Sequence, residues 1–337
     1  MDLFPDQTMN IQKENTQTAT IKDSLEFFPV ALFGSTVAIA GLSIAFKQSS
    51  VLFGLPPIAA QSIGVLAWIL FIFLTILYLA KIFRFPDSVK AELTHPVSAN
   101  FLGTFFISAV LLSSIAIPFS LDLARITWIS GTTGGSIFMF VLTYRLFKGE
   151  LNVLDAVPPT LIPGLTVLNA VTAGVGMKLG IIENETGTIL FSLGIVYVMV
   201  FFVIIAYRLV HREPIRIFLK PTLLLMSAPF TVGFLSYVSQ VKHVDLFGSA
   251  LFYFGFFIFI VLFFIVFTKG LPFMISWWGA CFSTGALTNA SLRYAILSQD
   301  LIVKGLAGFM LAAASVLILS TFLLTLRLQI NGKLLRP

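Results

Sequence analysis

The sequence predicts an all-α polytopic membrane protein. Ten transmembrane helices pair as five helical hairpins, with the odd-numbered helices forming an inner ring and the even-numbered ones an outer ring. Three observations lead there. First, 58% of the residues are hydrophobic and only 11% are charged, against about 25% charged in a soluble domain, and mean hydropathy is +0.98. Second, apolar segments of about the 20 residues that a helix needs to cross a bilayer recur along the chain. Third, those segments alternate between two kinds of composition.

The candidate spans run roughly 27–46, 58–81, 98–119, 123–147, 160–178, 187–209, 219–238, 246–268, 272–295 and 302–326. Asp122 and Arg125 mark a tight turn between the third and fourth, after Pro118. Residues 1–26 are polar and lack the basic and apolar regions of a signal peptide. They read as a disordered cytoplasmic tail. Residues 27–327 form the membrane domain, and 328–337 a short cytoplasmic tail.

Orientation follows from lysine and arginine. The two tails and the loops after even spans carry 15 of them, from Lys13 and Lys22 through Lys81, Arg145, Arg208, Arg212, Arg216 and Lys269 to Arg336. The other side carries 6: Lys47, Arg125, Lys178, Lys242, Arg293 and Lys304. Both termini are therefore expected in the cytoplasm, which requires an even number of spans.

Odd spans are rich in small and hydroxyl residues. Span one carries Gly34, Ser35 and Ala38; span three Gly103, Thr104 and Ser108; span five Pro163, Thr166, Asn169 and Gly174; span seven Ser227, Thr231 and Gly233. Span nine contains "SWWGACFSTGALTNAS" at 276–291. Even spans are greasier; the eighth reads "LFYFGFFIFIVLFFIVF", although the fourth departs with "TWISGTTGGS" at 127–136. Small residues let helices approach closely and hydroxyls suit a packed or watered interior, whereas greasy helices suit lipid. A faint repeat opens the odd spans, and four of them carry a proline at Pro29, Pro96, Pro163 or Pro229. Proline removes a backbone donor and kinks a helix, so kinks at these four positions are expected to leave a passage along the axis.

One cysteine, Cys281, excludes a disulfide within the chain and a cysteine metal site. His95, His211 and His243 fall near the ends of apolar runs. There is no H-E-x-x-H, no pair of aspartates on facing spans and no Ser–His pairing within them. No enzymatic activity, cofactor, metal or nucleic-acid partner is expected.

"RFPDSVKAELTHPVSANF" at 84–101, "SAPFTVGFLSYVS" at 227–239 and "WGACFSTGALTNAS" at 278–291 resemble the family of the bacterial tellurite-resistance protein TehA, the plant slow-type anion channels and the yeast malic acid transporter. The resemblance covers the chain from Phe27 to about Arg327. It implies a homotrimer in a bacterial inner membrane, each protomer with its own pore for small inorganic anions such as chloride or nitrate. It also implies that a phenylalanine on the ninth helix plugs the pore; the matching residue is Phe282. Family members often have proline or glycine next, where this chain has Ser283.

Helical spacing places Trp278, Phe282, Gly285 or Ala286, Asn289 and Arg293 on one face. If that face meets the axis, the Phe282 ring crosses a tube of small residues, and an apolar constriction gates by steric block and dewetting. The expected pore lining is Gly279, Gly285, Ala286, Asn289, Gly34, Ala38, Gly103, Thr104, Thr166, Asn169 and Thr231, with Arg293 and Lys178 at the outer rim. No acidic residue lies mid-span in an odd helix, whereas a cation path displays Asp or Glu. The expected function is a gated, passive anion channel. The alternative is a proton-coupled C4-dicarboxylate (malate) or tellurite-linked transporter, which the absence of a titratable mid-membrane group disfavours.

Overall fold

In the computed structural model the chain is described at residues 25–95, 97–150, 156–161, 168–267 and 271–332. The expected tail 1–24, Pro96, Pro163 and Thr166 lie outside the described residues. Twelve α-helices are described: α1 (Phe33–Phe53), α2 (Pro57–Arg84), α3 (Pro86–Thr94), α4 (Leu102–Ala116), α5 (Leu121–Phe147), the single turn α6 (Pro158–Leu161), α7 (Leu168–Lys178), α8 (Asn184–His211), α9 (Ala228–Val241), α10 (Leu246–Val266), α11 (Trp277–Ser298) and α12 (Leu301–Ile330).

Among the described residues, eight helices are long and apolar enough to cross a membrane. Segment α11 is not one of them despite its 22 residues, because glycine, serine, threonine and Asn289 dilute its apolar content. Segment α7 has 11 residues after an undescribed stretch.

Five hairpins account for the long helices: α1–α2, α4–α5, α7–α8, α9–α10 and α11–α12. The first member of each packs against the first members of its neighbours, in the closed order α1, α4, α7, α9, α11 and back to α1. Burial follows composition. In Val30–Phe53, Ala99–Ala116 and Ile217–Val241, 67% to 78% of the most apolar 18-residue stretch is buried; in the other five spans the share is 22% to 33%, and this includes Leu121–Phe147, which lies outside despite the lowest mean hydropathy of the eight. Phe83, Phe264, Ile302 and Val316 stand exposed on the outer helices, as a lipid-facing surface requires. The two-ring architecture is thus the one the alternating spans predict.

The hairpin turns repeat one device. A left-handed residue ends the inner helix at Gly54 (φ 70), Gly180 (φ 65), Lys242 (φ 66) and Gln299 (φ 57). An extended residue then starts the outer helix. Ser120, Asp245 and Asp300 cap α5, α10 and α12 by accepting from Leu123, Gly248 and Val303 at 3.2, 2.8 and 2.9 Å; at α2 a proline fills the first turn, where its missing N–H costs nothing.

At the opposite end the chain enters three inner helices through 3₁₀ turns, Val30–Leu32, Ala99–Phe101 and Ile217–Ser227. The last has 11 residues, far beyond the usual three or four. Of the prolines expected to kink inner helices, Pro29 precedes the 3₁₀ turn before α1, and Pro229 sits where the 3₁₀ segment Ile217–Ser227 passes into α9.

The short helix α3 was not among the expected spans. Its Glu92 accepts from the Val30 N–H at 2.9 Å and pairs with Lys81 at 2.9 Å, while Lys81 also donates to the Phe28 carbonyl at 2.8 Å. Lys81 is nearly buried, its side chain 4% exposed. This cluster pins the entry of α1 to α2 and α3.

Candidate functional site

The five inner helices enclose a cavity of about 110 Å³ to which every one of them contributes. Its walls include Ala38, Gly41 and Gln48 of α1, Leu111 and Ser114 of α4, and Gly174 and Lys178 of α7. Ser236 and Ser239 of α9 and Phe282, Gly285, Ala286, Asn289 and Arg293 of α11 complete it. A second space of about 20 Å³ lies on the other side of Phe282, walled by Gly34, Thr104, Leu225, Trp278 and Gly279 among others. The first has room for several waters and the second for about one. Phe282 and Val37 are walls of both.

The local reason for this arrangement is the composition of α11. Gly279 lies against the 3₁₀ segment before α9: a Cβ there would stand 3.3 Å from Thr222 Cγ2 and 3.5 Å from Leu225 Cδ1. Gly285, by contrast, would meet nothing within 4 Å, because it borders open space. The half-buried Phe282 ring is therefore flanked by one tight glycine and one free one. The face Trp278, Phe282, Gly285, Ala286, Asn289 and Arg293, read from helical spacing, does border the cavities.

The structure sorts the other expected residues. Gly34, Thr104 and Gly279 border the smaller space; Ala38, Gly285, Ala286 and Asn289 border the larger. Gly103 is buried without bordering either. Asn169 turns to α5, its amide 3.1 Å from the Met139 sulfur. Thr231 is fully buried and its methyl packs where a Cβ on Gly255 of α10 would stand, 2.9 Å away. Composition put these three on inner helices but not on the inner face. Missed were Gly41, Ser114, Gly174 and Ser236, of which only membership of an odd span was visible, and Gln48 and Ser239, which lie just beyond the ends expected for spans one and seven.

Polar character is narrower than the sequence suggests. On α11 the hydroxyls of Ser283, Thr284, Thr288 and Ser291 donate to carbonyls four residues back, at 3.1, 2.8, 2.8 and 2.8 Å. α11 runs unbroken through Ser283. Asn289 is saturated as well: its amide nitrogen donates to Gly41 and Gly285 carbonyls, each at 2.8 Å, and its oxygen accepts from Gln48 at 2.7 Å. Ser236 differs, since its buried hydroxyl has no hydrogen-bond partner and borders the cavity. Charge is one-sided. Lys178 and Arg293 border the larger cavity, and no Asp, Glu or His among the described residues borders either space. Neither cation is in an ion pair with a described carboxylate.

Fold and cavities together define a helical membrane protein with an enclosed, cation-lined interior and no grouping of metal ligands among the described residues. The chain belongs to the SLAC1 family, described as voltage-dependent anion channels, whose family model matches residues 27–326. It is 25% identical over 318 residues to the S-type anion channel SLAH3 of Arabidopsis thaliana, covering 89% of this chain and 48% of that protein. It is 24% identical over 315 residues to the tellurite resistance protein TehA homolog of Haemophilus influenzae, covering 90% and 92%. It is 24% identical over 262 residues to the uncharacterized transporter MJ0762 of Methanocaldococcus jannaschii, covering 69% and 75%. The chain thus spans about half the length of SLAH3 and nearly all of the TehA homolog.

Proposed function

We propose that this chain is a gated anion channel that passes small monovalent anions passively through the inner ring, closed by the Phe282 ring. The observation that carries the reading is that the Phe282 ring, with Val37 beside it, is a wall shared by the two spaces inside the inner ring. An aromatic ring between small residues blocks both by size and by excluding water. Lys178 and Arg293 on one side of it, neither paired with a described carboxylate, attract anions, and no carboxylate among the described residues borders either space to attract cations. Saturated hydroxyls and a saturated Asn289 leave few groups to hold an ion, which favours rapid passage.

The same proposal takes α7 with its preceding stretch, and α11, as the fifth and ninth of ten spans. It sets both termini in the cytoplasm of a bacterial inner membrane and assembles the chain as a homotrimer with a pore in each protomer. The S-type anion channel relatives support the choice of substrate. Against a proton-coupled carrier, no Asp, Glu or His among the described residues borders either space.

The test is anion current across a bilayer holding the unmodified chain or Phe282→Ala. Expected are small currents from the first, large anion-selective currents from the second, and a reversal potential that follows the chloride gradient. Silence from both, with pH-dependent uptake of labelled malate, would make the chain a carrier.

A further inference from the structure

A large vestibule with apolar and charged walls lies outside the pore reading. It occupies about 950 Å³ at the basic end of the bundle and shares the walls Ala31 and Phe101 with the small space below Phe282. Its charged walls are Arg208, Arg212 and Arg216, with Glu92 and Glu213, and His95 lines it too. Arg208 is 8% exposed. One of its terminal nitrogens donates to the Glu213 carbonyl at 2.8 Å, and its Nε–H is buried without a partner.

A buried guanidinium with an unmet donor is costly unless an anion meets it. None of the three arginines is in an ion pair with a described carboxylate. Glu92 is already engaged by Lys81 and the Val30 N–H, so among the described wall residues Glu213 is the one other carboxylate set against three guanidiniums. Arg216 lies 6.0 Å from the Phe218 ring centroid; that contact uses its face and leaves its edge donors free. His95 Nδ1 accepts from the Val97 and Ser98 N–H groups, each at 3.2 Å, which puts the neutral ring's proton on Nε2 as a further donor.

Size sets the class of ligand. The vestibule matches the roughly 300–1,000 Å³ of small-molecule sites and far exceeds what one halide fills. Arginine forks at this density suit the several oxygens of phosphate groups. We propose that the Arg208–Arg212–Arg216 vestibule is a binding site for a ligand bearing two or more phosphate groups, seated at the inner mouth. Such chemistry arrives on a soluble polyphosphate or on a phosphoinositide headgroup.

The test is thermal unfolding of the full chain, so the outcome does not depend on whether the chain conducts. Inorganic pyrophosphate is titrated at constant ionic strength against sodium chloride, and nanodiscs with and without phosphoinositide are compared. Expected is a saturable rise in Tm, with apparent affinity weakened about tenfold or more in Arg208→Gln and in Arg212→Gln/Arg216→Gln, whose exposed side chains are dispensable for folding. Lys304→Gln, which removes a charge from the opposite end, is expected to respond like the unmodified chain. A response to pyrophosphate assigns a soluble ligand; a response to phosphoinositide nanodiscs alone, lost in the arginine variants, assigns a lipid. No saturable rise in either arm overturns the proposal. So does a rise that persists unchanged in the Arg212→Gln/Arg216→Gln variant.

Discussion

Asn289 of α11 donates its side-chain amide to the carbonyl of Gly41 on α1, at 2.8 Å, across 248 residues of sequence. The same nitrogen bonds the Gly285 carbonyl and the oxygen accepts from Gln48. This junction closes the inner ring between its first and last members.

Replacing Asn289 with leucine removes the acceptor of the Gln48 amide and the interhelical bond to the Gly41 carbonyl, which keeps only its partner within α1. A loss of about 2–3 kcal/mol is expected, read as a lower Tm in detergent. An unchanged Tm would show that water replaces the amide and that the junction is not what closes the ring.

Glycine tolerance divides by what each position faces. A Cβ on Gly176 would stand 2.3 Å from the Trp128 ring and 2.9 Å from Ile182, so Gly176→Ala is expected to destabilise by about 1–3 kcal/mol. Gly285→Ala meets open space and is expected to keep the Tm. In the Phe282→Ala background, Gly285→Leu is expected to cut the current several-fold by filling the cavity. Current that survives this filling would place the path elsewhere.

Removing the cavity's cations is expected to weaken anion attraction without harming the fold. Lys178→Gln/Arg293→Gln in the Phe282→Ala background lowers conductance most at about 10 mM salt and least near 1 M, where the Debye length is only about 3 Å. Equal loss at both concentrations points to a steric effect and removes the electrostatic role.

The Lys81–Glu92 pair predicts a non-additive result. Glu92→Ala leaves a nearly buried ammonium without its carboxylate and the Val30 N–H without its acceptor. Breaking such a pair costs about 3–5 kcal/mol. Lys81→Met/Glu92→Leu is expected to recover part of that loss, because no buried charge remains. If the double variant is the less stable of the two, desolvation is not the reason.

Asp245 gives a pH dependence. The Gly248 N–H, and secondarily the Tyr237 hydroxyl, hold its carboxyl below the ordinary carboxylate range. A lowered folded-state value stabilises at pH above the unfolded value, and that contribution fades as pH falls through the folded one. Asp245→Asn is therefore expected to lower Tm at pH 7, with the difference shrinking in acid. A difference that is constant from pH 7 to 3 contradicts the assignment.

Much of this molecule was legible before folding. Lipid and protein interior demand different side chains, so alternating composition separates inner from outer helices, and i, i+4 spacing sets Phe282 in line with Gly285 or Ala286, Asn289 and Arg293. Azimuth around each remaining helix was not legible. Gly103, Asn169 and Thr231 are small or polar because they pack between helices, and composition alone does not tell that need from a pore's.

Two further things belonged to tertiary structure. Hydroxyl-rich helices look polar as strings, yet many of their hydroxyls turn to a carbonyl of their own helix, as Thr284 and Thr288 do. And Lys178 meets Arg293 at one cavity, while Arg208 and Glu92 meet at another, only because five hairpins close into a ring. Local composition by itself pointed to which helices are inside, since transfer between lipid and protein is a per-residue energy, with Leu121–Phe147 the exception: its mean hydropathy of 1.2 is the lowest of the eight spans, yet it lies outside. Which side chains share a space was decided by helix rotation and ring closure, which are properties of the packed whole.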